Sequence, residues 1–130
     1  MNVEELIERA DAICARYREQ EAPLRAAIPK DDSPEAYRKV GELLPQLGAL
    51  LRQQAAELAE LEPPPELADD WAENLQSLTR SADLLDRGGE AAAAHDRERF
   101  VEVATEARAV ELEMAAFARR VGFEICGRGV

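Results

Sequence analysis

The residues that could do chemistry in this 130-residue chain are few, and they lie far apart in the sequence. Its two cysteines are Cys14 and Cys126, and its one histidine is His95. Thiolate metal sites typically place cysteines about two to four residues apart, so this pair is not expected to bind metal. Two alternatives remain. The cysteines form a disulfide that ties the end of the chain to its first helix, or they are two buried thiols that pack as small apolar side chains.

The other reactive side chains also lack the partners that catalysis or metal binding would need. The residue three positions before His95 is alanine, so the Glu-x-x-His motif of ferritin-like bundles is missing. We expect His95 to be a solvated cap or turn residue. Met114 has no C-x-x-C-H haem motif near it and is expected to fill the core. Glu98, Glu102 and Glu106 share one helix face and could attract a cation, but a solvated face is favoured. We therefore predict no catalytic residue, no metal ligand and no cofactor, and we expect a protein that is not an enzyme.

Charge narrows the classes of partner. The chain has 27 acidic and 16 basic residues, and its net charge is −11. A field of this sign repels phosphate backbones and anionic membrane surfaces, so no nucleic-acid partner is expected. No apolar run reaches the roughly 18 residues that a membrane-spanning helix needs. The partner is expected to be a protein or a small molecule of unknown identity.

The elements that must position these residues are helices. Ala, Glu, Leu and Arg dominate the composition, and apolar residues recur three and four positions apart. We predict helices over about 3–27, 34–61, 65–94 and 96–122, and a non-helical tail over 123–130. Ser33 is expected to cap the second helix, the proline run 63–65 separates the second from the third, and Asp96 caps the fourth. The fourth helix carries an unbroken heptad pattern. Its members are Phe100, Val103, Ala107, Val110, Met114, Phe117 and Val121.

The end of the third helix allows two interpretations. Gly88 and Gly89 could form a C-cap that ends it. Alternatively the helix runs through both glycines to Ala94 and breaks at His95, which gives four helices of similar length. We favour the second interpretation, which places Gly89 on the core-facing stripe.

Four long amphipathic helices with short connections predict a single all-α domain, an antiparallel up-down-up-down four-helix bundle. In this topology the first helix and the end of the fourth are neighbours, which favours the Cys14–Cys126 disulfide. Bundles of this kind place ligands between their helices. A small cavity beside Gly89, lined by Trp71 and Met114, is therefore the candidate ligand site.

Two segments carry a resemblance to known proteins. They are ADAICARY at 10–17 and ARRVGFEICG at 118–127, together with the proline run and the acidic break at Asp96. The chain resembles small exported or lipid-anchored helical-bundle proteins of high-GC bacteria, a family without assigned function. The resemblance implies an extracytoplasmic location and a Cys14–Cys126 bond. The first residues, MNVEE, do not form a signal segment. Export is therefore expected to follow removal of a segment that is absent here, with a cytoplasmic location as the alternative.

These observations lead to two functional hypotheses. The first is a non-enzymatic, extracytoplasmic binding or interaction module, because the scaffold is rigid and carries no convergent polar chemistry. The alternative is a bundle that binds a small molecule or a cation in its core, near Trp71, Gly89 and Met114.

Overall fold

The computed structural model describes residues 1–128 and is all-helical over that range. Its helices are α1 (Val3–Ala26), α2 (Pro34–Leu58), α3 (Ala68–Ala93) and α4 (Arg97–Val121), and a short 3-10 turn covers Pro65–Leu67. The predicted all-α four-helix bundle is confirmed. Two helix ends differ from the prediction by three residues: α3 begins at Ala68 after the 3-10 turn rather than at residue 65, and α2 ends at Leu58 rather than at Leu61. There the amides of Glu60 and Leu61 bond three residues back, to Glu57 and Leu58, so the last turn tightens before the prolines.

Three helices begin at a polar side chain that accepts a hydrogen bond from a backbone amide of the first turn. Asn2 accepts from the amide of Glu5 at 2.8 Å, and the Glu5 carboxylate accepts from the Asn2 amide, which forms a capping box. Ser33 Oγ accepts from the amide of Ala36 at 3.1 Å, and Asp96 Oδ1 accepts from the amide of Arg99 at 3.1 Å. The predicted caps of α2 and α4 are thus present, and each satisfies a helix N–H that has no intrahelical acceptor.

α3 continues through both glycines, as the favoured interpretation required, and ends at Ala93. His95 follows with φ of 56°, a left-handed conformation that stops the helix before Asp96 starts the next one. α2 and α3 approach closely at this point. A Cβ on Gly89 would lie 2.9 Å from Cδ of Pro45, which leaves no room for a side chain.

Helices adjacent in the chain are adjacent in space: α1 contacts α2, α2 contacts α3, and α3 contacts α4. The main core lies at the end of the bundle where α1 begins and α4 finishes, which we call the tail end. The heptad residues of α4 point inward, and Val103, Val110 and Phe117 are buried. Among residues 1–128, no helix is both long and apolar enough to cross a membrane.

Candidate functional site

The tail, residues 123–128 in the described structure, runs between α1 and α4 and is fixed from both sides. Gly122, with φ of 105°, ends α4 and turns the chain back. The carboxylate of Asp11 on α1 then accepts three backbone N–H groups, from Glu124 at 3.0 Å, Ile125 at 3.1 Å and Cys126 at 2.9 Å. Arg18 donates to the carbonyl oxygen of Ile125 at 2.8 Å. The tail is therefore held in register along α1 by charge-assisted hydrogen bonds.

The disulfide between Cys14 and Cys126 is present, with their Cα atoms 5.4 Å apart, and this prediction is confirmed. Cys14 lies one helical turn after Asp11, so both side chains point to the same side of α1. The hydrogen bonds of Asp11 therefore place Cys126 opposite Cys14. In the sequence, only its position three residues before Cys14 could have indicated that Asp11 binds the tail.

The residues proposed for a ligand cavity are not brought together. Trp71 and Gly89 both lie on α3, eighteen residues apart, which is about 27 Å along the helix axis. Trp71 is buried at the tail end with its ring 6.0 Å from that of Phe123. Gly89 faces Pro45 near the other end of the bundle. Of these three residues, only Met114 lines a void between the helices.

That interior void is small and lies beside the disulfide. Its volume is about 40 Å³, which is room for about two water molecules. Gln54, the one polar residue on the core stripe of α2, reaches it. Its Nε2 donates to Cys14 Sγ at 3.3 Å, and its buried Oε1 has no hydrogen-bond partner in the part of the chain that the structure describes. The void suits ordered water, since pockets for drug-sized ligands occupy roughly 300–1,000 Å³.

A much larger depression lies on the outside of the bundle, where α2 and α3 meet. We call it the α2–α3 groove. It is an open depression with a volume of about 580 Å³, and its floor is formed by Ala55, Ala56, Ala59 and Leu75. The alanines lack the bulk that would fill the space beside Leu75. The result is an open groove whose surface is mostly apolar. The groove floor has no signature in the sequence because its two halves lie on different helices.

The end of the groove farther from the tail end carries arginines whose charges are already compensated. Nη2 of Arg52 donates to Asp83 and to Asp86, each at 2.7 Å. These hydrogen bonds, that to Asp83 first, raise the pKa of Arg52. Arg80 donates to Glu106 on α4 at 2.6 Å, and this hydrogen bond raises its pKa as well. Both guanidinium groups stay charged, and each sits among carboxylates.

The other end of the groove is rich in acidic residues, and two of them, Glu57 and Asp70, form ion pairs with Arg16 on α1 and Arg120 on α4. Residues 53–79 contain seven acidic side chains and no Lys, Arg or His. Glu60 follows Ala59 directly, and Glu73 and Asp69 lie on α3 within two turns before Leu75. Within residues 1–128, none of these three carboxylates has an ion-pair partner. This base-free stretch was the signal in the sequence that could have pointed to the groove.

The remaining candidates provide no chemical centre. His95 is exposed and lies beside Tyr37, with ring centroids 6.0 Å apart and ring planes tilted by 47°. Glu106, one of the three acids that could have attracted a cation, pairs with Arg80. Among the described residues, no group of three or more His, Cys, Asp and Glu side chains is placed to hold a metal ion.

Comparison of the chain with protein-family models, with curated proteins and with solved structures found no match in any of the three.

Proposed function

We propose that this protein is a non-enzymatic binding module that contacts a protein partner through the α2–α3 groove. The groove is the observation that carries the proposal. Its surface is mostly apolar, it is open to solvent and it has a volume of about 580 Å³, whereas the void beside the disulfide is about 40 Å³. The alternative, a small-molecule or cation site in the bundle core, has less support because that void is too small for more than ordered water.

The disulfide supports an extracytoplasmic location, in an oxidising environment. Structural disulfides persist in secreted and periplasmic proteins and are rare in reducing cytoplasm. The Cys14–Cys126 bond links residues 112 positions apart, so it holds nearly the whole chain in one closed loop. A module of this kind presents a preformed surface and loses little conformational entropy on binding.

The experiment is peptide selection against the oxidised protein. Random helical peptides displayed on phage are selected for binding to the wild-type chain. The affinity of the selected peptides is then measured for the wild type and for Ala56→Gln. Ala56 is exposed on the groove floor, so the longer side chain occupies the groove without changing the net charge. We expect selected peptides to bind the variant at least about tenfold more weakly, because filling a groove excludes the anchor side chain.

The matched control is Ala104→Gln, which makes the same change at an exposed alanine of α4, away from the groove. It should leave affinity within about twofold of wild type. Selected peptides that bind wild type and Ala56→Gln equally well would refute the groove as the binding surface.

A further inference from the structure

We infer that the occupant of the α2–α3 groove is a basic amphipathic helix of another protein. Its apolar side chains would lie on Ala55, Ala56, Ala59 and Leu75, and its Lys or Arg side chains would lie at the acidic end, over Glu60, Asp69 and Glu73. This inference rests on the proposed function and specifies the chemistry of the partner.

A helical occupant follows from the walls of the groove. Both walls are α-helices, whose backbone N–H and C=O groups are already bonded within each helix. An extended peptide gains affinity by adding backbone bonds to an open sheet edge, and this groove offers none. The occupant must therefore satisfy its own backbone, as a helix does. From Arg52 to Ala59 the floor is about 10 Å long, which matches two helical turns and apolar anchors at i, i+3 or i+4, and i+7.

A basic occupant follows from where the negative charge is concentrated. Residues 59–93 contain nine acidic side chains and two arginines, a net charge of −7 out of the chain total of −11. Arginines outside this stretch pair with four of the nine acids, which lie at positions 70, 83, 86 and 90. The other five acids, at positions 60, 62, 66, 69 and 73, have no ion-pair partner among residues 1–128 and lie toward the tail end. On the other side of the bundle the helices carry less charge, since α1 has six acids and four arginines, a net charge of −2. α4 has five acids and five arginines and is neutral overall. Opposite charges across the rim of an interface steer the partner and reject wrong ones.

The same charges argue against a second copy of this chain in the groove. Two α2–α3 surfaces packed in parallel would bring the carboxylates of Glu60, Asp69 and Glu73 of both copies together. In an antiparallel arrangement these carboxylates would face Arg52 and Arg80, which already bind carboxylates of their own chain. Like charges placed opposite one another at an interface weaken association and suppress that pairing. The occupant is therefore expected to be a different chain.

The test uses three synthetic peptides of equal length. The first places leucines at helical i, i+3, i+7 and i+10 positions with lysines at the flanking positions. The second replaces every lysine with glutamate, and the third scrambles the leucine and lysine order so that the helical periodicity is lost. Binding to the oxidised wild-type protein is measured by fluorescence anisotropy. We expect the periodic lysine peptide to bind at least about tenfold more tightly than either of the others, and about five- to tenfold more weakly at 200 mM than at 20 mM NaCl.

Two variant pairs separate the local rim from the overall charge. Glu60→Gln with Glu73→Gln removes two carboxylates beside the groove and should weaken the lysine peptide about three- to tenfold. Glu19→Gln with Glu102→Gln makes the same change in net charge at exposed positions of α1 and α4 and should weaken it less than twofold. Equal weakening by both pairs would show attraction to the whole molecule and would overturn the inference.

The remaining outcomes distinguish the inference from the proposed function. A glutamate or scrambled peptide that binds as tightly as the lysine peptide, and loses affinity in Ala56→Gln, would overturn the basic helix while the groove stands as a binding surface. Lysine-peptide binding that is unchanged in Ala56→Gln would overturn both. Dimerisation of the protein alone in sedimentation equilibrium, abolished by Ala56→Gln, would identify a second copy as the occupant and refute the inference.

Discussion

The disulfide should contribute a large share of the stability of this bundle. Opening the Cys14–Cys126 bond releases a loop of 112 residues in the unfolded chain. In the chain-entropy description, a loop of that length stabilises the folded state by about 5 kcal/mol. For 130 residues the entropy of unfolding is about 0.27 kcal/mol/K. The double variant Cys14→Ala/Cys126→Ala should therefore melt about 15–20 °C below the oxidised wild type.

The assay is urea unfolding followed by circular dichroism, with and without a thiol reductant. Reductant should lower the unfolding free energy of wild type to that of the double variant and should leave the variant unchanged, which is the internal control. The urea m-value should rise when the bond is absent, because an unlinked denatured chain exposes more surface.

The contacts of the folded state predict a further property of the double variant. Asp11 and Arg18 hold the tail through backbone hydrogen bonds that do not involve the sulfur atoms. The tail amides should therefore stay protected from hydrogen exchange in the double variant at 10 °C. A loss of stability below about 1 kcal/mol in the variant would refute the entropic argument. Unprotected tail amides would refute the role given to Asp11.

Three further changes test individual contacts, each against wild type. Asp11→Ala leaves three tail N–H groups without their carboxylate acceptor and should lower the unfolding free energy by roughly 2–4 kcal/mol. Asp11→Asn keeps one acceptor oxygen and should lower the unfolding free energy by less. Equal losses in the two variants would argue against the hydrogen bonds. Gly127→Ala should cost about 2 kcal/mol in urea unfolding, because φ is 71° and the new Cβ would lie 2.9 Å from Cβ of Ala118; an unchanged midpoint would contradict this packing. Hydrogen bonds from Arg16 first, and then from Tyr17, lower the pKa of Glu57, so its contribution is present above its unfolded pKa and is lost as pH falls through the folded value. The stability difference between wild type and Glu57→Gln should therefore be largest near neutral pH and shrink between about pH 5 and 3; a difference that is constant over this range would refute it.

The helical bundle was predictable because its signals are local. The heptad pattern of α4, the serine cap of α2 and the proline run each act within a few residues of the chain. The topology permitted the disulfide, because it places the first helix and the end of the fourth helix at the same end of the bundle, and the resemblance implied it. The end of α2 could not be predicted to the residue, since it depends on how the last turn at Glu60 and Leu61 tightens against the prolines.

The candidate site was less accessible from the sequence because it is formed by pairs of distant residues. Gly89 lies on the core-facing stripe of α3, which suggested a cavity, but whether a glycine leaves a cavity depends on the residue that faces it. Here Pro45, forty-four positions earlier, occupies that space. The groove floor joins Ala56 to Leu75, and the tail joins Asp11 to Cys126. No periodicity along one helix indicates which residue of another helix will face it.

The two features that distinguish this bundle lie on opposite sides of it. With α1 to α4 arranged in chain order, the tail and its disulfide close the α1–α4 side, and the α2–α3 groove opens on the other. The covalent bond therefore acts on the pair of helices that no short loop connects. α2 and α3 are joined by a short loop and by close packing at Gly89, so they keep their spacing without it. Under the proposed function, the α2–α3 groove can bind a partner while the disulfide on the opposite side prevents the helices from separating.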